Sequence, residues 1–176
     1  MVRRFTVRQA EQSDIEQIGI IGPAIYSASY GMMWGDAEAY TRQLESFGAA
    51  AMHRFMARDD TQVWVAEYGE RIVGFLTLVI GSPDPIEGRI GGAEVPRIYL
   101  LSPAQGHGLA KEMIANAEAY ARIEGMKYLW LDAMLEAPWA WTVHEKLGFV
   151  QIGRKMFGKG LIPVYDQMVV LRRDIA

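Results

Sequence analysis

Residues 98–111 read Ile98-Tyr-Leu-Leu-Ser-Pro-Ala-Gln105-Gly-His-Gly-Leu-Ala-Lys111, an apolar strand that runs into a glycine loop. The apolar residues that follow recur at helical spacing up to Gly125 and predict a helix over about 108–124. Gly106 and Gly108 allow the backbone to turn sharply and to approach a ligand closely. The free N–H groups and the positive dipole end of the new helix would face that ligand. The stretch therefore predicts a loop that holds an anion such as phosphate.

The composition limits what else the protein can be. The chain has 176 residues, 51% of them hydrophobic, which suits one domain over 1–176 with one core. A formal net charge of −3 gives no basic footprint, so we expect no nucleic-acid partner. There is no cysteine, which excludes disulfides, thiolate metal sites and a cysteine nucleophile, and we expect no metal. No long apolar span is present, so we expect a cytoplasmic protein with no membrane partner.

Patterns on either side of the loop predict alternating strands and helices. The predicted strands lie at 5–8, 62–67, 72–80, 94–101, 127–133, 149–157 and 164–171. The predicted helices begin near residue 13, with a kink or restart at Pro23, and then span 36–58, 108–124 and 138–147. Hairpins mixed with strand-helix-strand units indicate an α/β fold, a mixed sheet with helices on both faces.

Two other phosphate-binding loops fit the spacing poorly. A P-loop needs Gly-x-x-x-x-Gly-Lys-Ser/Thr, which is absent. A dinucleotide loop needs a third glycine where Lys111 stands, and Ser102-Pro103-Ala104 makes the turn too long. Asp132 does end the next strand at roughly the distance of a ribose-binding acid. The dinucleotide alternative therefore stays open but weak.

The segment Gln105-x-x-Gly108-x-Ala110 resembles the coenzyme A loop of the GCN5-related N-acetyltransferase (GNAT) superfamily. Residues 94–101 resemble the family's fourth strand, and Glu145-Lys-Leu-Gly-Phe149 resembles its late helix-to-strand junction. The resemblance covers about residues 3–171 and is closest to the small-amine branch, which includes polyamine acetyltransferases. It implies a GNAT fold, with a mostly antiparallel central sheet of about seven strands, and acetyl-CoA as cosubstrate.

The resemblance assigns the donor site to the loop and the strand before it. Backbone N–H groups of the loop would bind the pyrophosphate, and the strand edge would pair with the pantetheine arm. A backbone N–H near Leu100 would polarise the thioester carbonyl. The alternative is a plain strand-to-helix turn. The cofactor-binding residues implied are Tyr99, Leu100, Leu101, Gln105, Gly106, His107, Gly108, Leu109, Ala110 and Lys111, with His107 contributing only its backbone.

Two residues are candidates for proton transfer. His144 stands where the family usually has a tyrosine acid, and a neutral imidazole can protonate the leaving thiolate or hydrogen-bond its sulfur. The alternative is a satisfied core histidine. Glu94 matches a glutamate that acts as a base through water in many relatives, the alternative being an exposed carboxylate or a partner of Arg97. Ala137 replaces an asparagine that often contacts the pantetheine.

The acceptor site is predicted at Tyr26, Tyr30 and Trp34, in the region that forms the acceptor lip of relatives. Their rings would attract an ammonium group, although aromatics at helical spacing also form cores. The leading hypothesis is acetyl transfer to a small primary amine: a polyamine, an amino acid or an aminated antibiotic. The alternatives are a weakly active or inactive coenzyme A-binding module and a protein N-terminal or lysine acetyltransferase. A homodimer is the family-based expectation.

Overall fold

The computed structural model describes residues 4–175, in which one seven-stranded sheet carries helices on both faces. The strands are β1 Phe5–Gln9, β2 Thr61–Tyr68, β3 Arg71–Ile80, β4 Gly92–Leu100, β5 Tyr128–Met134, β6 Val150–Met156 and β7 Gln167–Asp174. The helices are α1 Ile15–Tyr30, α2 Ala37–Glu45, α3 Ala49–Met56, α4 Leu109–Ile123 and α5 Pro138–Lys146.

The strand order is β1-β2-β3-β4-β5-β7-β6, and every neighbouring pair is antiparallel except β4 with β5. The predicted mixed, mostly antiparallel α/β sheet is therefore confirmed. Helix α4 packs on one face, where Met113 and Ala117 meet Leu76 of β3. Helices α1 and α3 cover the other face, where Ile18 and Met52 surround Phe75 of the same strand.

Strands β4 and β5 pair over only three residues each. Gly92–Glu94 lies against Tyr128–Trp130, and beyond those pairs the two strands separate. A sheet that splits in this way leaves the edge of β4 without a neighbouring strand on one side. The split opens a cleft in the middle of the fold, and the predicted loop at 105–110 lies at one end of it.

One predicted helix is two helices. The pattern over 36–58 predicted a continuous helix, but α2 ends at Glu45 and α3 starts at Ala49. Gly48 adopts an extended conformation between them, and Phe47 turns into the core, where it is 1% exposed. Burial of this large ring outweighs the local helical periodicity.

Two further boundaries differ from the prediction. Helix α1 continues through Pro23, although proline removes the hydrogen bond to residue 19. Gly19 packs against α3 so closely that a Cβ there would lie 2.4 Å from the backbone nitrogen of Ala49, and this packing holds the helix across the proline. The last strand begins at Gln167 instead of 164, because Pro163–Tyr165 form a helical turn. Within residues 4–175, no helix combines the length and apolarity needed to cross a membrane.

Candidate active site

The cleft between the separated strands contains a cavity of about 650 Å³. It extends from the glycine loop, past the exposed edge of β4, to α1 and the segment after β6. The predicted site residues that line it are Tyr26, Tyr30, Glu94, Tyr99, Leu100, Gln105, Gly106, Ala110 and His144. The predicted residues outside the lining are Trp34, Leu101, His107, Gly108, Leu109 and Lys111.

The glycine loop keeps the start of α4 open. Gly106 and Gly108 have φ values of 80° and 79°, in the left-handed region that favours glycine. Gly108 is the N-cap of α4 and offers no side chain to the first-turn N–H groups, and a Cβ on either glycine would meet no atom within 4 Å. Leu109, 2% exposed, anchors the helix in the core. The loop therefore presents unpaired N–H groups to open space, a geometry suited to an anion.

His107 lies in the same loop but faces away from the cavity. Its exposed ring packs on Phe5, with 4.4 Å between the ring centroids. This position agrees with a backbone contribution only.

The edge of β4 presents peptide groups to the cleft. The Leu101 N–H donates to the Val73 carbonyl at 2.8 Å, so the antiparallel alternation turns the peptide groups of Leu100 and Ile98 away from β3. The Leu100 carbonyl instead accepts a hydrogen bond from the Gln105 side chain at 3.3 Å. Gly74 of β3 lies opposite Leu100 and lets the two strands approach closely, since a Cβ on Gly74 would lie 2.5 Å from the Tyr99 carbonyl oxygen. The edge is available to an extended ligand that forms strand-like hydrogen bonds.

A β-bulge sets the direction of Glu94. Strand β3 pairs Thr77 with Arg97 and Val79 with Glu94, so one residue of β3 between these pairs lies opposite two residues of β4. Without the bulge, Glu94 and Arg97 would point to opposite faces, but the extra residue turns both toward the face covered by α1 and α3. Both line the cavity. Pro96 lies in the bulge, where its missing N–H costs no ladder hydrogen bond.

Glu94 is half-buried and forms no ion pair with an arginine of residues 4–175. Its carboxylate accepts a hydrogen bond from the Ser82 hydroxyl at 2.9 Å. Burial raises the pKa of Glu94 above its ordinary value, and the nearby Asp132 carboxylate adds to the rise. The expected alternative, an ion pair with Arg97, does not form. A carboxyl group with a raised pKa inside a cavity has the properties of a general base.

His144 lies on α5 and is 5% exposed, with its ring edge toward Phe149. Burial lowers the pKa of His144 to about 4, so the imidazole is neutral at pH 7. Its Nδ1 atom is buried and finds no hydrogen-bond partner within residues 4–175. A buried polar atom usually has such a partner. The His144 residue also lines the cavity, so a ligand there can contact it.

The predicted acceptor aromatics form both core and wall. Tyr26 contacts Phe47 and Tyr30, with ring centroids 4.8 Å and 5.1 Å apart, and burial raises the pKa of both tyrosines. The Tyr26 hydroxyl is buried; Trp34 and Gln43 approach it, but neither completes a hydrogen bond. Trp34 packs between Tyr40 and Phe157, behind the cavity wall. The wall is therefore made by Tyr26 and Tyr30, with Trp34 supporting it.

The structure adds charged residues that the sequence analysis did not assign to the site. Arg97, Lys155 and Lys159 line the cavity, as does Asp132, which forms an ion pair with Lys155. Arg97 was expected at most as an ion-pair partner of Glu94, and its position on the face covered by α1 and α3 depends on the bulge at Pro96. Among residues 4–175, no three histidine, aspartate or glutamate side chains gather as a metal site would require.

A family model and several solved structures match this chain. The sequence model described as the Acetyltransferase (GNAT) family matches residues 25–149. The PaiA N-acetyltransferase of Thermoplasma acidophilum, solved in complex with coenzyme A, superposes with a TM-score of 0.76 at 15% identity, covering 97% of this chain and 99% of that chain. A ribosomal-protein-alanine N-acetyltransferase from Brucella melitensis gives a TM-score of 0.70 at 19% identity, with 96% and 99% covered.

A variant of the spermidine N-acetyltransferase SpeG from Vibrio cholerae gives a TM-score of 0.64 at 18% identity, with 97% and 94% of the two chains covered. At these low identities, the likeness to the solved structures shows a shared fold alone. The names of these proteins span a polyamine and a ribosomal protein as acceptors, so the fold alone leaves the acceptor open.

Proposed function

The chain belongs to the GNAT acetyltransferase family, which uses acetyl-CoA, and we propose that it transfers the acetyl group directly to a small primary amine. One observation carries the proposal: a single cavity joins the glycine loop, the free edge of β4 and the Glu94 carboxylate. Donor and acceptor can therefore meet without an intermediate carrier on the protein, in agreement with a sequence that has no cysteine.

The donor would be held mainly by backbone groups. Loop N–H groups from Gly106 to Lys111 would bind the pyrophosphate, since the Gln105 N–H donates to the Ser102 carbonyl at 3.2 Å. The peptide edge at Ile98 and Leu100 would pair with the pantetheine arm. The Leu100 N–H, which faces away from β3, would hydrogen-bond the thioester oxygen. A fixed N–H of this kind stabilises the charge that develops on the oxygen during attack.

Glu94 would prepare the amine. A primary amine is mostly protonated at neutral pH, and it must lose one proton, directly or through water, before its lone pair can attack. The raised pKa of Glu94 brings the carboxylate closer to the pKa of its proton donor, which suits a base working near pH 7. Attack forms the C–N bond and moves the carbonyl electron pair to oxygen.

His144 would assist the leaving group. Collapse of the tetrahedral intermediate breaks the C–S bond, and the sulfur leaves with the electron pair of that bond. The neutral imidazole of His144 would donate a hydrogen bond from its N–H to the sulfur without losing that proton, and the proton taken up by the thiolate would come from the former amine, whose nitrogen sheds its second proton as the amide forms. The products are the N-acetylated amine and coenzyme A with a free thiol.

The acceptor candidates remain those of the sequence analysis: a polyamine, an amino acid or an aminated antibiotic. Tyr26 and Tyr30 form one wall of the acceptor side, and the faces of such rings attract an ammonium group. The competing proposal is a coenzyme A-binding module without turnover, since tyrosine and asparagine of the family are replaced by His144 and Ala137.

Thiol release from acetyl-CoA, measured with the purified protein across a panel of amines, tests the proposal. Release that depends on an added amine supports an acetyltransferase. Acetyl-CoA binding without release on any small amine would leave a binding module, and strong release only with peptides would indicate a protein acetyltransferase. The other expectations, one domain over 1–176, a homodimer and a cytoplasmic location without nucleic-acid partners, stay predictions that limited proteolysis, sizing and fractionation test.

A further inference from the structure

Arg97 is a cation inside the cleft with no anion to balance it. Its guanidinium lies over the Phe47 ring, 4.4 Å from the centroid, and donates a hydrogen bond to the Ser46 hydroxyl at 3.2 Å. No carboxylate of residues 4–175 lies within 4.0 Å of it. Burial lowers the pKa of Arg97 from its ordinary value, but the group stays charged at pH 7. A partly buried charge without a partner is costly, so a ligand that brings an anion gains from the site.

The rest of the cavity wall cannot supply that anion. Asp132 is engaged by Lys155, and Glu94 accepts its hydrogen bond from Ser82. The raised pKa of Glu94 further weakens it as a partner for a cation. Lys159 adds a second cation at the mouth, where it lies over the Phe157 ring. The acceptor side thus carries an excess of positive charge in a chain whose net charge is −3.

The positive charge lies on the acceptor side, away from the pyrophosphate loop. Arg97 contacts Phe47 and Ser46, which connect α2 to α3 on one face of the sheet. The glycine loop leads into α4, which covers the opposite face. An anion on Arg97 would therefore belong to the acceptor and not to the diphosphate of coenzyme A.

The bulge also sets the size of the acceptor. It turns Glu94 and Arg97, three residues apart, to the same face of β4. Three extended residues span at most about 10 Å between their Cα atoms, so the two side chains enter the cavity within the length of one small molecule. The base would face the amine end of that molecule and the guanidinium its other end.

We propose that the acceptor is a small amine that carries a carboxylate, an amino acid or a close analogue, with its carboxylate bound by Arg97 and its amine directed to Glu94. The inference rests on the proposed function and narrows it. The carboxylate forms and breaks no bond: an ammonium carboxylate and acetyl-CoA give the N-acetyl amino acid, the free thiol of coenzyme A and one proton. A fork of guanidinium N–H groups matches a carboxylate geometrically, which a polyamine cannot use.

The first test uses the unmodified protein and matched acceptors. Amino acids are compared with their own amides, with spermidine and with short peptides. For each acceptor, kcat/KM is calculated from the concentration of the neutral amine, so that differences in amine pKa cancel. The proposal predicts kcat/KM about 10- to 100-fold higher for at least one amino acid than for its amide, the discrimination typical of a lost charge-assisted hydrogen bond. Equal or higher values for an amide, spermidine or a peptide overturn it.

The second test changes Arg97 and reads donor and acceptor separately. Arg97→Met keeps an apolar chain against Phe47 and should raise KM for the amino acid about 10- to 100-fold, with little change in KM for acetyl-CoA or in kcat/KM for the amide. Arg97→Lys should recover part of the loss. Arg71→Met, at an exposed position at the start of β3, is the matched control and should leave all of these values unchanged.

The outcomes separate the two proposals. No amine-dependent thiol release with any acceptor overturns the proposed function and this inference together. Release that favours acceptors without a carboxylate overturns the inference alone. An Arg97→Met effect of equal size on amino acid and amide also overturns it, because Arg97 would then only support the fold of the wall.

Discussion

The donor side of the cleft presents mostly backbone groups, whereas the acceptor side presents side chains. The glycine loop and the β4 edge offer N–H and C=O groups whose direction is set by left-handed glycines and strand alternation. The opposite wall depends on Tyr26, Arg97 and Glu94, whose direction is set by a bulge and by helix packing. Backbone recognition needs few particular residues and is therefore compatible with large differences in sequence. The side chains of the other wall are free to define the acceptor.

Glu94→Gln should have the largest effect and should act on the acceptor side alone. The amide keeps the size and the Ser82 contact but cannot take a proton, so kcat/KM for the amine should fall about 10²- to 10⁴-fold. The Kd of acetyl-CoA, measured by calorimetry, should not change. Glu145→Gln on the exposed surface of α5 is the control. Normal turnover in Glu94→Gln would show that Glu94 is not the base.

The same residue predicts a pH profile. Only ionised Glu94 can act as a base, and burial raises its pKa. In the unmodified protein, kcat/KM should therefore fall on acidification at a higher pH than an ordinary glutamate would give, and initial rates across pH measure this limb.

His144→Phe should reduce turnover while preserving the fold. Loss of the N–H to the leaving sulfur should lower kcat about 10²-fold, with the Kd of acetyl-CoA nearly unchanged. Because the substitution removes a buried nitrogen that lacks a partner, the free energy of unfolding should stay equal or rise by about 1 kcal/mol. His53→Phe, at an exposed position on α3, should alter neither quantity. Lower stability of His144→Phe together with a normal kcat would show that His144 has a structural role only.

Gly108→Ala tests the donor side against a control with the same backbone strain. Gly108 and Gly88 both have positive φ, 79° and 64°, and both have open space where a Cβ would go. Each alanine should cost about 1–2 kcal/mol of stability in urea unfolding. Only Gly108→Ala should weaken acetyl-CoA binding, by about tenfold, because its methyl group enters the space before the first N–H groups of α4. Equal donor affinity in the two variants would contradict the assignment of the loop.

The last prediction is a pH dependence of stability that isolates His144. Burial lowers the pKa of His144 in the folded protein to about 4, whereas the unfolded chain titrates near 6.5. Between these values the unfolded chain binds more protons, so stability is lost as the pH falls from about 6.5 to 4, at up to about 1.4 kcal/mol per pH unit. Glu94 contributes in the opposite sense in both proteins. The difference in the free energy of unfolding between the native protein and His144→Phe, measured by urea unfolding at several pH values, should therefore change with pH at this slope.

The glycine loop and the start of α4 could be predicted from sequence because their determinants are local. Gly106 and Gly108, followed by the apolar pattern that starts at Leu109, encode a turn and a helix start within a few residues. The acceptor side depends on distant contacts. Arg97 faces this side only because β4 bulges against β3, and Phe47 enters the core only because α1 and α3 enclose it. Periodicity describes each element by itself and cannot report such contacts.

The two residues proposed for proton transfer fall between these cases. The positions of Glu94 and His144 followed from the family resemblance, and the structure brings both to one cavity. Their protonation depends on burial by β5, α5 and their neighbours, which the sequence does not show. The place of His144 in the cavity lining is the observation that supports its proposed role.

The most direct measurement compares two products in one reaction. Purified protein is given acetyl-CoA and an amino acid, and the free thiol and the N-acetylated amine are quantified together over time. Direct transfer predicts one N-acetyl product for each thiol released, with both lost in Glu94→Gln. Thiol release without N-acetyl product, or bound acetyl-CoA with neither, would contradict the account.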